Sequence, residues 1–335
     1  MTCCVFVGWC PIWTSLAAAV MYLAEHGHVL AEPPGMMYAA MRIQSFALVA
    51  LLAACGNSSP ATSTDAAGSN TTPDGATPKI PAPTGVCPTI ANGDVNFAPA
   101  GMAPRKVKLT FDATAATGSG PLIIYWFATG SAPLEAAYSL GATQGQITAA
   151  GGVVAAPYAD STAGQFEWFI VNMSPKLDDF LLADEIVGCL AAAHRIDTHQ
   201  IHSMGMSAGA LQTTAFSFLR SDYVASVATY SGGMPPGFMP AIENPDNKFE
   251  ALIFDGGTSD DVFSVDFKAA SEAYAATLTA SGHYAELCNH GQGHAIPLDA
   301  APSVAAFFAA NPFGAWPSPY AASGLPSTFP TYCAR

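Results

Sequence analysis

Gly205-Met206-Ser207-Ala208-Gly209 carries the strongest fold signal in the chain. It has the pattern G-x-S-x-G, with a strand-forming run at 198–204 before it and a helix-forming run at 210–219 after it. On such a sharp strand-to-helix turn the serine is held in a strained backbone conformation, and its neighbours must be small because a Cβ there would collide with the turn. Gly205, Ala208 and Gly209 meet that demand. The amides of the helix's first turn face the serine and favour the negative charge that develops when its hydroxyl attacks a carbonyl. The pentapeptide also arises by chance in chains rich in Gly and Ala, so its surroundings decide.

Upstream, residues 106–111 alternate polar with apolar, as an early strand does. Residues 122–127 form a continuous β-branched and aromatic run, expected of a strand buried on both faces. The loop Ala128-Thr129-Gly130-Ser131-Ala132-Pro133 then opens a helix near Leu134. Two short strands are predicted at 152–156 and 166–171, and the apolar spacing over 177–194 predicts a helix. Downstream come strands at 225–230, 249–254 and 283–287, with helices at 264–280, capped by Ser264, and at 303–310. Alternation of this kind predicts an α/β fold with a mostly parallel central sheet and helices on both faces. Function in such sheets collects in loops at the carboxyl ends of the strands.

A serine hydroxyl near neutral pH is a weak nucleophile and needs a base within hydrogen-bond reach, oriented by an acid. Asp260 follows the predicted strand 249–254, and His294 follows the last strand in Asn289-His290-Gly291-Gln292-Gly293-His294. Asp261 and Asp255 compete for the acid and His290 for the base; Gly293 favours His294 by letting a loop present its ring. His202 reads as a strand residue packed in place, and His194 and His199 as solvated surface. The order Ser207, Asp260, His294, each after a predicted strand, is that of the α/β-hydrolase architecture.

These loops, with Arg195-Ile196-Asp197-Thr198, Tyr230-Ser231-Gly232-Gly233, Gly257-Thr258-Ser259-Asp260 and Gly291-Gln292-Gly293-His294-Ala295-Ile296-Pro297, resemble the polyhydroxybutyrate depolymerase and feruloyl esterase group of secreted α/β-hydrolases. The resemblance implies hydrolysis of carboxylic esters, either short hydroxyalkanoate oligomers or acetyl and feruloyl groups on polysaccharide. It also implies an oxyanion hole built from the backbone of Ala208 with Ala128 and Thr129. Here the chain departs from the group: Phe127-Ala128 stands where those hydrolases carry His-Gly, before Thr129-Gly130 resumes the pattern. Trp126, Phe127 and Met206 flank these loops and are the candidates for substrate contact. A peptidase on the same fold would use the same parts, and a silent surface binding module would keep the fold without the chemistry.

The formal charge of −14 and the lack of any basic cluster argue against nucleic acid and polyanionic substrates. No metal or cofactor motif stands out; Gly291-Gln292-Gly293 between His290 and His294 is a poor helix, so the two do not form a helical metal pair. Residues 41–55 carry Arg42, the short apolar run 46–52 and then Leu52-Ala53-Ala54-Cys55, which describe an export signal too short to span a membrane. Its end resembles the lipobox of bacterial lipoproteins, which implies lipidation of Cys55; Gly56 after it, by resemblance to lipoprotein sorting, favours an outer-membrane destination. Residues 1–40 read as translation from an upstream start or as an extra apolar segment. Residues 56–85 are poor in large apolar side chains and read as a tether, leaving 86–335 as the catalytic domain. Its cysteines, Cys87, Cys189, Cys288 and Cys333, suggest two disulfides in an exported protein. A clasp of Cys87 with Cys333 across the domain ends is the first expectation, leaving Cys189 and Cys288 paired or as buried thiols.

Overall fold

The computed structural model describes residues 77–118, 120–234 and 238–333. The segment read as an export signal with Cys55, the residues before it and those read as a tether up to residue 76 lie outside the described residues. In chain order the elements are β1 (Gly93–Phe97), β2 (Arg105–Thr110), β3 (Leu122–Trp126), α1 (Glu135–Leu140), α2 (Ala142–Ala149), β4 (Val153–Pro157), α3 (Asp178–Ala192), β5 (Ile201–Met206) and α4 (Ala208–Leu219). They continue with β6 (Ser226–Tyr230), β7 (Glu250–Asp255), the hairpin β8 (Asp261–Val262) and β9 (Val265–Asp266), α5 (Phe267–Ala280), β10 (Ala285–Asn289) and α6 (Ala301–Ala310).

One eight-stranded sheet runs in the order β1-β2-β4-β3-β5-β6-β7-β10. β1 and β2 are antiparallel to their neighbours, and every pairing from β4 to β10 is parallel. All residues of β3, β4, β5, β6 and β7 are buried, which is why their sequences read as unbroken apolar or small runs. β2 alternates buried and less buried positions because one of its faces is wetter. The step from β3 to β4 moves one way along the sheet and the steps from β4 to β5 and β5 to β6 the other. Right-handed crossovers therefore place α1 and α2 on one face and α3 and α4 on the opposite face. The packing agrees: α6 lies against α1 and α2, while Phe180 of α3 stacks on Phe216 of α4 at 6.5 Å.

Several expectations are corrected. Residues 166–171 form turns, not a strand. Asp179 accepts from the Phe169 amide at 2.7 Å, and Asn172 bonds the Phe166 amide and carbonyl, so side chains satisfy the backbone groups that a ladder would use. Trp168 and Phe169 are buried as plugs, which gave the run its strand-like composition. Asp266, not Ser264, caps α5, accepting from the Ala269 amide at 2.9 Å. β1 was not predicted; it is five residues long at the sheet edge and buries only Val95 and Phe97, on one face, too short an alternation to stand out.

The disulfides join Cys87 to Cys189 and Cys288 to Cys333, overturning both the Cys87–Cys333 clasp and the Cys189–Cys288 pair. The reason lies in the segment before β1. Buried Glu185 accepts from the Thr84 amide and hydroxyl at 2.7 and 2.9 Å and from the Gly85 amide at 3.0 Å. Cys189 lies one turn on from Glu185, on the same helix face, and so meets Cys87. Residues 77–85, read as the end of the tether, thus lie along the domain, with Lys79 also paired to Asp222 at 2.8 Å. The tail packs back on the domain: Phe329 and Cys333 are buried, and Cys333 secures it to β10.

Candidate active site

Ser207 stands between β5 and α4 with φ 55° and ψ −119°, a conformation L-residues rarely adopt. Its amide donates to the Tyr230 carbonyl at 2.9 Å, which ties the strained turn to the neighbouring strand. A Cβ on Gly209 would lie 1.9 Å from the Trp126 carbonyl oxygen, and one on Gly205 would lie 2.5 Å from it. Glycine at both positions is what lets β3, β5 and α4 close around the turn.

His294 lies in the loop after β10, where Gly293, at φ +71°, donates its amide to the Gly256 carbonyl at 2.9 Å. The imidazole Nε2 is 2.8 Å from Ser207 Oγ and Nδ1 is 2.7 Å from Asp260 Oδ1. With Asp260 ionised, Nδ1 carries the proton and donates to it, leaving the Nε2 lone pair to accept from the serine hydroxyl. The Phe267 ring lies 4.6 Å from the imidazole and covers one side of it.

Asp260 is almost wholly buried, and its second oxygen accepts from Ser231 Oγ and from the Gly256 amide, each at 2.8 Å. Burial favours the protonated acid, but the hydrogen bonds from His294, Gly256 and Ser231 outweigh it, and the carboxyl is held below its ordinary 3.8. The rivals are placed elsewhere. Asp255 ends β7 and accepts from the Gly257 amide at 2.9 Å, Asp261 is exposed in the hairpin, and His290 is buried with its ring against Tyr332. His202 is a packed strand residue, stacked on Phe308 at 4.5 Å, with burial drawing its ring down to about 3. His194 and His199 are exposed.

The loop after β3 is braced by two carboxylates that the sequence did not single out. Glu135, the first residue of α1, accepts from the Ala128 amide and from the Tyr125 hydroxyl, each at 3.0 Å. Glu167 accepts from the Gly130 amide at 2.8 Å, and the Trp168 indole donates to the Phe127 carbonyl at 2.9 Å. Burial raises the Glu135 carboxyl, against hydrogen bonds from Ser131, Ala128 and Tyr125 that lower it. The Ala128 N–H is therefore taken by Glu135, whereas the N–H of Thr129, between the two braced amides, has no partner among the described residues, and neither has that of Ala132. Ala128 is not among the residues of positive φ, so its Cβ costs the backbone nothing.

Trp126, Phe127 and Met206 are buried at 0%, 3% and 5% exposure. Trp126 packs edge-on against Trp168 at 4.9 Å and donates to Ser203, so it belongs to the core. Tyr230-Ser231-Gly232 could have pointed to Ser231 as a polar residue at a strand end, but Glu135 and Glu167 left no local sign.

Compared with models of known protein families and with curated protein sequences, the chain matches none. Among solved structures it is similar to pOPH in its native form, with TM-score 0.56 and 14% identity over 70% of this chain and 91% of that one. It is similar to native sOPH at TM-score 0.52 and 14% identity over 68% and 90%. A thermostable esterase gives TM-score 0.53 and 14% identity over 65% of this chain and 62% of that one. At such identity the likeness establishes the fold, and the fold is that of the α/β-hydrolases.

Proposed function

We propose that the chain is an exported serine hydrolase that cleaves carboxylic esters through an acyl-enzyme, with Ser207 as nucleophile, His294 as base and acid, and Asp260 as its orienting carboxylate. The observation that carries this is the unbroken hydrogen-bonded chain Ser207 Oγ, His294, Asp260 at 2.8 and 2.7 Å, at the carboxyl ends of three strands. The esterase among the structural neighbours supports an ester as substrate. Ser207 Oγ attacks the ester carbonyl carbon as its proton passes to His294 Nε2, and Asp260 stabilises the imidazolium. The resulting oxyanion is met by the N–H groups of Ala208, at the start of α4, and of Thr129. His294 then gives its proton to the departing alcohol as the C–O bond breaks, and water repeats the sequence to release the carboxylic acid. Short hydroxyalkanoate oligomers and acetyl or feruloyl esters of polysaccharide are the substrate classes that the sequence resemblance favours. Two disulfides suit an oxidising compartment, and lipidation at Cys55 would hold the enzyme at a membrane surface.

Hydrolysis of p-nitrophenyl acetate tests the assignment. Ser207→Ala and His294→Ala are expected to lose roughly 10³-fold or more in kcat, while His290→Ala keeps near wild-type turnover. Retained activity in His294→Ala, with loss in His290→Ala, would contradict it.

A further inference from the structure

The hairpin β8–β9 follows Asp260 directly, and its two central residues, Phe263 and Ser264, both have positive φ, 53° and 61°. Two-residue loops of that shape are suited to Asn-Gly or Asp-Gly, because a Cβ is disfavoured there. A phenylalanine held in this conformation is strained, and at 63% exposure it is not there to fill the core. Strained conformations of this kind cluster at functional sites.

The Phe263 ring meets Phe166 edge-on at 5.7 Å. Phe166 adjoins Glu167 and Trp168, which hold the loop after β3 through Gly130 and Phe127. The hairpin, for its part, is fixed on the acid's side: the Asp260 carbonyl accepts from the Phe267 amide at 2.9 Å, and the Phe267 ring lies against His294. In the sheet, β3 and β7 lie on opposite sides of β5, which carries Ser207. The contact therefore joins a segment held to the loop after β3 with a hairpin that follows β7, from the two sides of β5.

We propose that Phe166 and Phe263 form an apolar roof across the mouth of the Ser207 cleft, and that the site takes esters bearing a bulky apolar or aromatic group, which packs beneath it. The proposal rests on the serine-hydrolase reading and adds the substrate class. It also names two specificity-determining residues in place of buried Trp126 and Phe127.

Phe263→Gly is the informative variant, because its backbone conformation favours glycine; its Tm is expected to equal or exceed that of wild type. The readout is kcat/KM for methyl acetate, phenyl acetate and methyl hexanoate, which place apolar bulk on neither, the alcohol or the acyl side. The roof predicts a fall of about tenfold or more for at least one bulky ester, mainly through KM, with methyl acetate moving less than about threefold. Phe263→Tyr is expected to restore most of the loss. Unchanged ratios of both bulky esters to methyl acetate in Phe263→Gly would overturn the roof while leaving the hydrolase reading intact. A wild type that hydrolyses none of the three would overturn both.

Discussion

At the scale of single residues, the site is held by groups already hydrogen-bonded to one another before a substrate arrives. Asp260 shows how: a carboxylate at 1% exposure stays ionised because three donors converge on it. Its folded-state affinity for a proton is below the ordinary 3.8, so ionised Asp260 stabilises the fold above that pH, and the contribution is lost as pH falls through the lower folded value. The stability difference between wild type and Asp260→Asn, followed by denaturant titration, is expected to be constant from neutral pH down to the carboxylate range and to shrink below it. Shrinkage already near neutral pH would contradict this. Glu135 carries a second prediction. Glu135→Ala frees the Ala128 amide and loosens the loop, with an expected loss of about 10–10²-fold in kcat at little changed KM, the scale of a small misplacement at the reacting centre. Glu135→Gln, which keeps an acceptor oxygen, should recover most of it; a rise in kcat for Glu135→Ala would mean that the carboxylate restrains the hole. Ser207, Asp260 and His294 were legible in the sequence because each follows a strand within a small-residue loop. Glu135 and Glu167 were not, because what they do depends on backbone amides brought to them by folding.

At the scale of elements, apolar runs with strand length were read well where both faces are buried and badly where the run plugs a loop. Residues 166–171 have the composition of a strand, yet Asp179 and Asn172 take their backbone bonds and Trp168 braces the loop after β3. The cysteine pairing was equally hidden, since it follows from Glu185 drawing residues 84 and 85 onto α3. The two disulfides close segments of 102 and 45 residues. On chain-entropy grounds, replacing the Cys87–Cys189 pair by serines costs about 4.7 kcal/mol and replacing the Cys288–Cys333 pair about 4.0 kcal/mol. Guanidinium unfolding of the two double variants measures this, and ester turnover under native conditions should survive in both, as neither bond touches the triad. Loss of turnover without loss of stability would show that one of them positions the site.

At the scale of the whole molecule, the parallel sheet was readable because burial on both faces writes itself as continuous apolar sequence, and the edge strand β1 was not because no such pressure acts on it. The sheet order then does what sequence cannot, bringing residues 207, 260 and 294 to one end of three strands. The fold alone does not make an enzyme. The claim that it does so here is tested most directly by reacting the folded protein with a fluorophosphonate and locating the adduct by peptide mass spectrometry. One phosphonyl group on Ser207 in wild type, none in Ser207→Ala, and much slower labelling in His294→Ala is the predicted result. Folded wild type that takes up no label, or takes it up at another residue, would contradict the account.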